Sequence, residues 1–348
     1  MDDALLRHHG DVDAEPGLLD FAVNVLGTRP PDWLRERLVR ALDRLGRYPS
    51  AHEDEVARAT AAARHGRPAD EVLVLAGASE GFALLPTLRP KLAAVVHPSF
   101  TEPEVSLRDN GIPVHRVSTV DGYALEPSVV PDAADMVVLG NPTNPTSVLH
   151  PAETVRALAR PGRVLVVDEA FMDAVPGESE SLAGARDVPG LLVIRSLTKT
   201  WALAGLRAGY ALGDASLLRA LAARRPAWPI GTLVLEAVTA CCEPPALAES
   251  AALVRECGRH RDAMVEALSA IDGLEVHLPA SAPYLLLRVP GDGELVRKSL
   301  RHKGIAVRRG DTFPGLGPDH IRVAVRPPRE VERLVAALRA VENVGHGG

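Results

Sequence analysis

The chain has 348 residues, 39 basic and 45 acidic, for a formal net charge of −6, with 46% hydrophobic and 24% charged residues. That is the make-up of a folded chain of about two domains; the mild acidity and the lack of a basic stripe exclude a nucleic-acid partner, and no apolar run approaches the ~18 residues of a membrane span. Cys241, Cys242 and Cys257 form no C-x-x-C pair, which excludes a disulfide scaffold and a zinc ribbon; no metal is expected, and with no signal peptide at the start the compartment expected is the cytoplasm.

Residues 1–28 read as an irregular N-terminal arm containing His8-His9-Gly10 and Asp20-Phe21-Ala22-Val23-Asn24. A helix is predicted over about 32–46, where Leu34, Leu38, Leu42 and Leu45 share a face. Strands are predicted at 72–76, 93–97, 136–140, 163–168, 191–195 and 207–212. These runs are apolar on both faces and alternate with helical stretches, which predicts an α/β large domain, 29–230, with a mostly parallel sheet between helices. Residues 214–271 read as mostly helical, broken at Glu243-Pro244-Pro245. Strand-like pieces follow at 274–278, 284–289, 305–308 and 321–325, then a helix near 328–341. The expectation is a smaller α+β C-terminal domain, 231–348.

In such a sheet, ligands sit beyond the carboxyl ends of the strands. The predicted strand ends carry Gly77-Ala78-Ser79, then Pro98-Ser99-Phe100, then Asn141-Pro142-Thr143-Asn144, then Asp168-Glu169-Ala170-Phe171, then Ser196-Leu197-Thr198-Lys199, with Arg207 eight residues on. Only four of the 39 basic residues are lysines: Lys91, Lys199, Lys298 and Lys303. A lysine kept against that bias matters, because arginine cannot become a neutral amine nucleophile. Together the strand ends describe a pocket for pyridoxal 5′-phosphate. Gly77, Ala78 and Ser79 at a helix N-terminus, with Ser196 and Arg207, suit the phosphate. Phe100 can stack on the pyridine ring, Asp168 can keep its nitrogen protonated, and Lys199 can anchor the cofactor and then act as acid and base. Each residue has a plainer reading: Asp168 as a helix cap, Phe100 as core, Asn-Pro-Thr as a turn, and the other lysines as solvated surface. Order and strand-end placement favour the pocket.

The series Asn-Pro-Thr, Asp-x-x-aromatic and Ser-x-x-Lys-x(7)-Arg resembles fold-type I pyridoxal-phosphate enzymes of the class I/II aminotransferase superfamily over nearly the whole chain. The resemblance implies cofactor contacts from Asn144 and Phe171. It also implies that Tyr48, in Arg47-Tyr48-Pro49, reaches the cofactor phosphate of a neighbouring subunit, and hence a homodimer. Within the superfamily, Asp168–Asp173, Phe313-Pro314-Gly315-Leu316, Arg322–Arg326 and the arm segments look like threonine-phosphate decarboxylase of cobalamin biosynthesis. The next relative is histidinol-phosphate aminotransferase, which normally carries tyrosine where Phe171 stands. Pro103, Ser147, Gly231 and Pro283 depart from the usual pattern. The expected activity is decarboxylation of an O-phosphorylated amino acid, threonine phosphate first and serine phosphate second, with the aminotransferase as alternative. Substrate contacts are expected from Asn24, His8, Arg308 and Arg322, the two arginines orienting the substrate's anions. A rival reading takes Gly77-Ala78-Ser79-Glu80-Gly81 as the G-x-S-x-G nucleophile elbow of a hydrolase, with Asp168 and His320 completing a triad. It leaves Lys199 and Arg207 without a task.

Overall fold

The computed structural model describes residues 3–345. The arm carries β1 (Leu19–Asp20). The central sheet comprises β2 (Val72–Leu75), β3 (Ala93–His97), β4 (Val114–Ser118), β5 (Met136–Gly140), β6 (Val164–Asp168), β7 (Leu191–Ser196) and β8 (Gly209–Gly213). Their spatial order is β2-β8-β7-β6-β5-β3-β4. The run from β7 to β4 is parallel throughout, and β8 alone runs antiparallel, against both β2 and β7. Along β6, Leu165 and Val167 enter the core on one face of the sheet while Val166 enters the core on the other. Both faces are therefore covered, as the two-sided apolar runs predict. The strand missed in the sequence is β4: its Val-His-Arg-Val-Ser run is half exposed at the sheet edge, so it has no continuous apolar signal.

A second sheet contains β9 (Glu275–Val276), β10 (Tyr284–Arg288), β12 (Arg308–Arg309) and β13 (His320–Ala324), ordered β12-β13-β10-β9, while β11 (Ile305–Ala306) pairs in parallel with β1. The single strand expected at 305–308 is thus two short ones, β11 joined to the arm and β12 to the small sheet. The arm is not irregular either. It holds helical turns at Asp3–Leu6 and Gly10–Asp13, and Phe21 is fully buried in the core of the small sheet. Arg326 fixes it further, donating to the carbonyls of Asp20, Val23 and Val25. The helix Thr232–Cys242, assigned from sequence to the C-terminal domain, places Leu235, Val238, Cys241 and Cys242 in the core of the large sheet. The break at Glu243 stands: Glu243 is extended, and the helix Pro244–Ser269 starts at the proline, where a missing N–H costs nothing.

Candidate active site

The strand ends of the large sheet, the arm and the small sheet enclose a cavity of about 380 Å³. Lys199, Asp168, Ala78, Ser79, Phe100, Asn144, Phe171, Ser196, Arg207, Asn24, Arg308 and Arg322 all line it. The structure therefore gathers into one space residues spread over nearly 300 positions of sequence.

At the sheet end the polar groups are already paired. Arg207 stands in the left-handed region (φ 62°), and its Nη2 donates to Ser79 Oγ at 2.7 Å while Nη1 donates to Ala204 O at 3.0 Å. Gly77 does not line the cavity; it stands behind Arg207, where a Cβ would lie 2.7 Å from Nη2, and its φ of +80° also calls for glycine. Ser196 Oγ lies 2.7 Å from Thr198 Oγ1, and Thr198 N donates to it at 3.3 Å. Thr198 lines the cavity and was passed over in the sequence as a spacer, although a hydroxyl two residues from Ser196 at a strand end can meet the same anion.

Asp168 ends β6 and accepts from Ala170 N at 3.0 Å. Burial, aided by the neighbouring Glu169 charge, pushes its carboxyl up to about 7; a protonated nitrogen opposite it would hold it ionised. Lys199 lies in the turn after β7, its carbonyl accepting from Leu26 N at 2.9 Å and its Nζ 5.9 Å from the centre of the Phe171 ring. Burial and the Arg322 and Arg207 charges push its amine down to about 8. Lys91, Lys298 and Lys303 are exposed, as expected of solvated surface. Phe100 sits between His9 (5.4 Å) and Phe82 (6.1 Å). Phe171 packs edge-on against Tyr284 at 4.9 Å, and Tyr284 donates its hydroxyl to Thr143 O at 3.0 Å.

The arm end is built differently. Arg308 and Arg322 face one another as cross-strand partners on β12 and β13, and both are buried. Arg308 Nη2 donates to His8 O at 2.6 Å and its guanidinium lies 4.8 Å over Phe313. Its Nη1 is 3.5 Å from Asp13 Oδ2 but has no hydrogen-bond partner. Arg322 Nη1 donates to Asn144 Oδ1 at 2.5 Å and Nη2 to Ala22 O, leaving Nε without a partner. Both amide atoms of buried Asn24 are also unpartnered. Burial pushes Arg308 down to about 10, and burial with the Arg308 charge pushes Arg322 down to about 9. Unsatisfied buried donors carry a desolvation cost that an anion would relieve.

Besides Gly77, one expected contact needs correction. His8 does not line the cavity; its ring pairs with Asp13 at 3.1 Å, and the neighbouring His9 faces inward with Glu102 at 2.6 Å from its Nε2. His8 and His9 lie between the two helical turns, and His9 is extended; neighbouring side chains on extended backbone point to opposite sides, so a His-His pair does not say which member faces the site. Tyr48, expected to serve a neighbouring subunit, lies outside this chain's own cavity, 72% exposed and stacked at 4.4 Å on Trp228. The hydrolase triad also fails. His320 pairs with Asp319 and Tyr123 away from the cavity, and Ser79 Oγ is held by Arg207 with no histidine beside it.

The chain matches the model for aminotransferase class I and II over residues 16–338. It belongs to the class I and II aminotransferase family. It is 52% identical over 335 residues to proteins named histidinol-phosphate aminotransferase from Mycobacterium tuberculosis and Mycobacterium bovis, covering 96% of this chain and 90% of each relative. The threonine-phosphate decarboxylase of Salmonella typhimurium is 32% identical over 338 residues, covering 93% of this chain and 91% of the relative. Among solved structures, the histidinol-phosphate aminotransferase of Clostridium acetobutylicum superposes with a TM-score of 0.86 at 23% identity, over 94% of this chain and all of that one. The match confirms the α/β fold with its mostly parallel sheet. The chain is a pyridoxal-phosphate enzyme. The expected decarboxylase does not stand: the relatives at 52% identity are named aminotransferases, while the decarboxylase matches at 32%. Phe171, where histidinol-phosphate aminotransferases normally carry tyrosine, does not outweigh likeness over the whole chain. Among the described residues no helix is long and apolar enough to cross a membrane.

The donor set suits the cofactor. Arg207, Ser79, Ser196 and Thr198 gather donors that suit a phosphate, Phe100 offers a face, and among the described residues Asp168 has one oxygen with no hydrogen bond and Lys199 an amine with no carboxylate hydrogen-bonded to it.

Proposed function

We propose that the protein is a pyridoxal-phosphate aminotransferase of the histidinol-phosphate aminotransferase type, moving an amino group between a phosphorylated amine and a 2-oxo acid. The observation that carries this reading is the 52% identity with proteins of that name over 96% of the chain. The cavity supports it: Lys199, Arg207, Arg308 and Arg322 outnumber the carboxylates Asp11 and Asp168, so the space favours anions.

When bound, the cofactor supplies an electron sink for the bond broken beside the substrate nitrogen. Asp168 holds the proton on the ring nitrogen. Lys199 Nζ would anchor the cofactor and, with substrate bound, move a proton at the substrate's α-carbon; burial and the Arg322 and Arg207 charges favour its neutral form. Ser79, Ser196, Thr198 and Arg207 hold the cofactor phosphate. Arg308, Arg322 and Asn24 take the substrate phosphate, or the carboxylate of the oxo acid in the second half-reaction. Asn144 orients Arg322 through their 2.5 Å bond and, with Phe171, would add a contact to the bound cofactor. The functional unit is a homodimer in the cytoplasm, with the exposed, stacked Tyr48–Trp228 pair at the subunit junction and Tyr48 serving the partner's cofactor.

The test is product analysis. Histidinol phosphate with 2-oxoglutarate should turn over continuously and yield glutamate. Failure of that pair, with carbon dioxide released catalytically from threonine phosphate alone, overturns the proposal.

A further inference from the structure

Directly behind the cofactor-facing strand ends lies a buried ion network that the chemistry above does not use. Arg195 precedes Ser196 on β7, and Glu169 follows Asp168 on β6. Neither lines the cavity, although Ser196 and Asp168 do. Side chains alternate along a strand, so Arg195 falls on the opposite face from Ser196. There Arg195 Nη1 lies 2.9 Å from Glu169 Oε2 and 2.8 Å from Glu178 Oε2, and Nη2 pairs with Asp173. Arg195, Glu169 and Asp173 are all buried. Glu169 is held in turn by Ser181 Oγ at 2.6 Å and Leu182 N at 2.7 Å. Arg64 closes the network from the helix Ala51–His65, 2.9 Å from Asp173 and 2.5 Å from Glu178.

We propose that Arg195 is a positioning residue: its forked guanidinium clamps the segment 169–178 to the end of β7 and so fixes Asp168 relative to Ser196 and Lys199. The inference rests on the reading of Asp168 and Ser196 as cofactor contacts. The choice of residue supports it. Well-packed apolar side chains fill a core at lower desolvation cost than three buried charges and two half-buried ones, and what a planar fork adds is fixed direction between two segments. The segment it holds follows directly on Asp168 and carries Ala170 and Phe171, and all three line the cavity. A shift of about 1 Å in such groups costs up to about a hundredfold in rate.

The test compares Arg195→Met, Arg195→Lys and Glu169→Gln as holoenzymes, reading kcat per bound cofactor, KM and the visible circular dichroism of the bound cofactor. The expected result is a kcat about tenfold or more below wild type with KM changed less than about threefold, and a visible dichroism per bound cofactor clearly reduced because the ring is no longer held in one orientation. Arg195→Lys should recover part of both. If Arg195→Met does not fold, Glu169→Gln carries the test, since it keeps the Leu182 contact and changes a single charge. A folded variant with wild-type kcat and dichroism overturns the proposal, as does a fall confined to the thermal midpoint of the apoprotein. Asp168→Asn is the control: if it too leaves both readouts unmoved, the assignment of Asp168 falls, and the clamp falls with it.

Discussion

At the sheet end of the cavity Arg207 is bonded to Ser79 and Ser196 to Thr198, whereas at the arm end Arg308 Nη1 (ion-paired with Asp13 at 3.5 Å), Arg322 Nε and both amide atoms of Asn24 are buried with no hydrogen-bond partner among the described residues. The first arrangement is a cup shaped before its guest arrives, as suits a resident cofactor. The second leaves buried donors of Arg322 and Asn24 unpaired, a setting in which a bound anion would be favoured and which would suit the substrate proposed above. The two ends also come from different parts of the chain. The cup is made by consecutive strand ends of one sheet, and the second end by the arm, β12, β13 and the Asn144 loop.

The contrast is broken most severely at Lys199, which stands between the two ends. Lys199→Ala should lower turnover by about 10⁴-fold or more, and borohydride treatment should then fix no cofactor to the protein; a cofactor still fixed would identify another lysine as the anchor. Asp168→Asn should cost about 10³-fold in kcat while cofactor affinity, set by the cup, changes far less; equal losses in both would mean that Asp168 belongs to the binding cup. At the arm end, Arg308→Ala and Arg322→Ala should each cost about 2–4 kcal/mol in kcat/KM for the phosphorylated substrate, with cofactor binding retained. Unchanged kinetics in both would remove these arginines from the site.

The smallest effect concerns pH and joins the two ends. Burial, Arg322 and Arg207 disfavour the charged amine, so Lys199 titrates near 8 instead of 10.5. The neutral amine is the attacking form, so the rate at which apoprotein takes up cofactor covalently should rise with pH and level off above about 8. Arg322→Ala removes one of the repelling cations and should move that midpoint upward by less than about one unit. A midpoint that stays in place or moves down would show that Arg322 does not act on Lys199.

Much of the cup was legible in the sequence because strand ends are local features. An apolar run followed by Asp168-Glu169-Ala170-Phe171 or Ser196-Leu197-Thr198-Lys199 states both the strand and what emerges from it. The scarcity of lysine singled out Lys199 without any structure. Edge strand β4 was not legible, because at the sheet margin half its side chains face water and the apolar signal is lost. The left-handed Arg207 was not legible either; nothing local announces a positive φ in arginine. Nor was the Arg195 network, whose members belong to three separate segments.

The sequence by itself determined the strand ends, the cofactor and the family-bearing order of motifs, since each depends on residues close together in the chain. Only the tertiary structure decided that His9 and not His8 faces inward, that the arm is a working wall of the site, that 305–308 divides between two sheets, and that Arg308 and Arg322 meet across a strand pair with donors to spare. The physical reason is the same in each case. These features rest on pairings between residues up to some 300 positions apart, such as Arg322 with Ala22, and a one-residue change of register reverses which side chain meets the cavity. Local pattern states which residues can do the chemistry; long-range packing chooses which of them do.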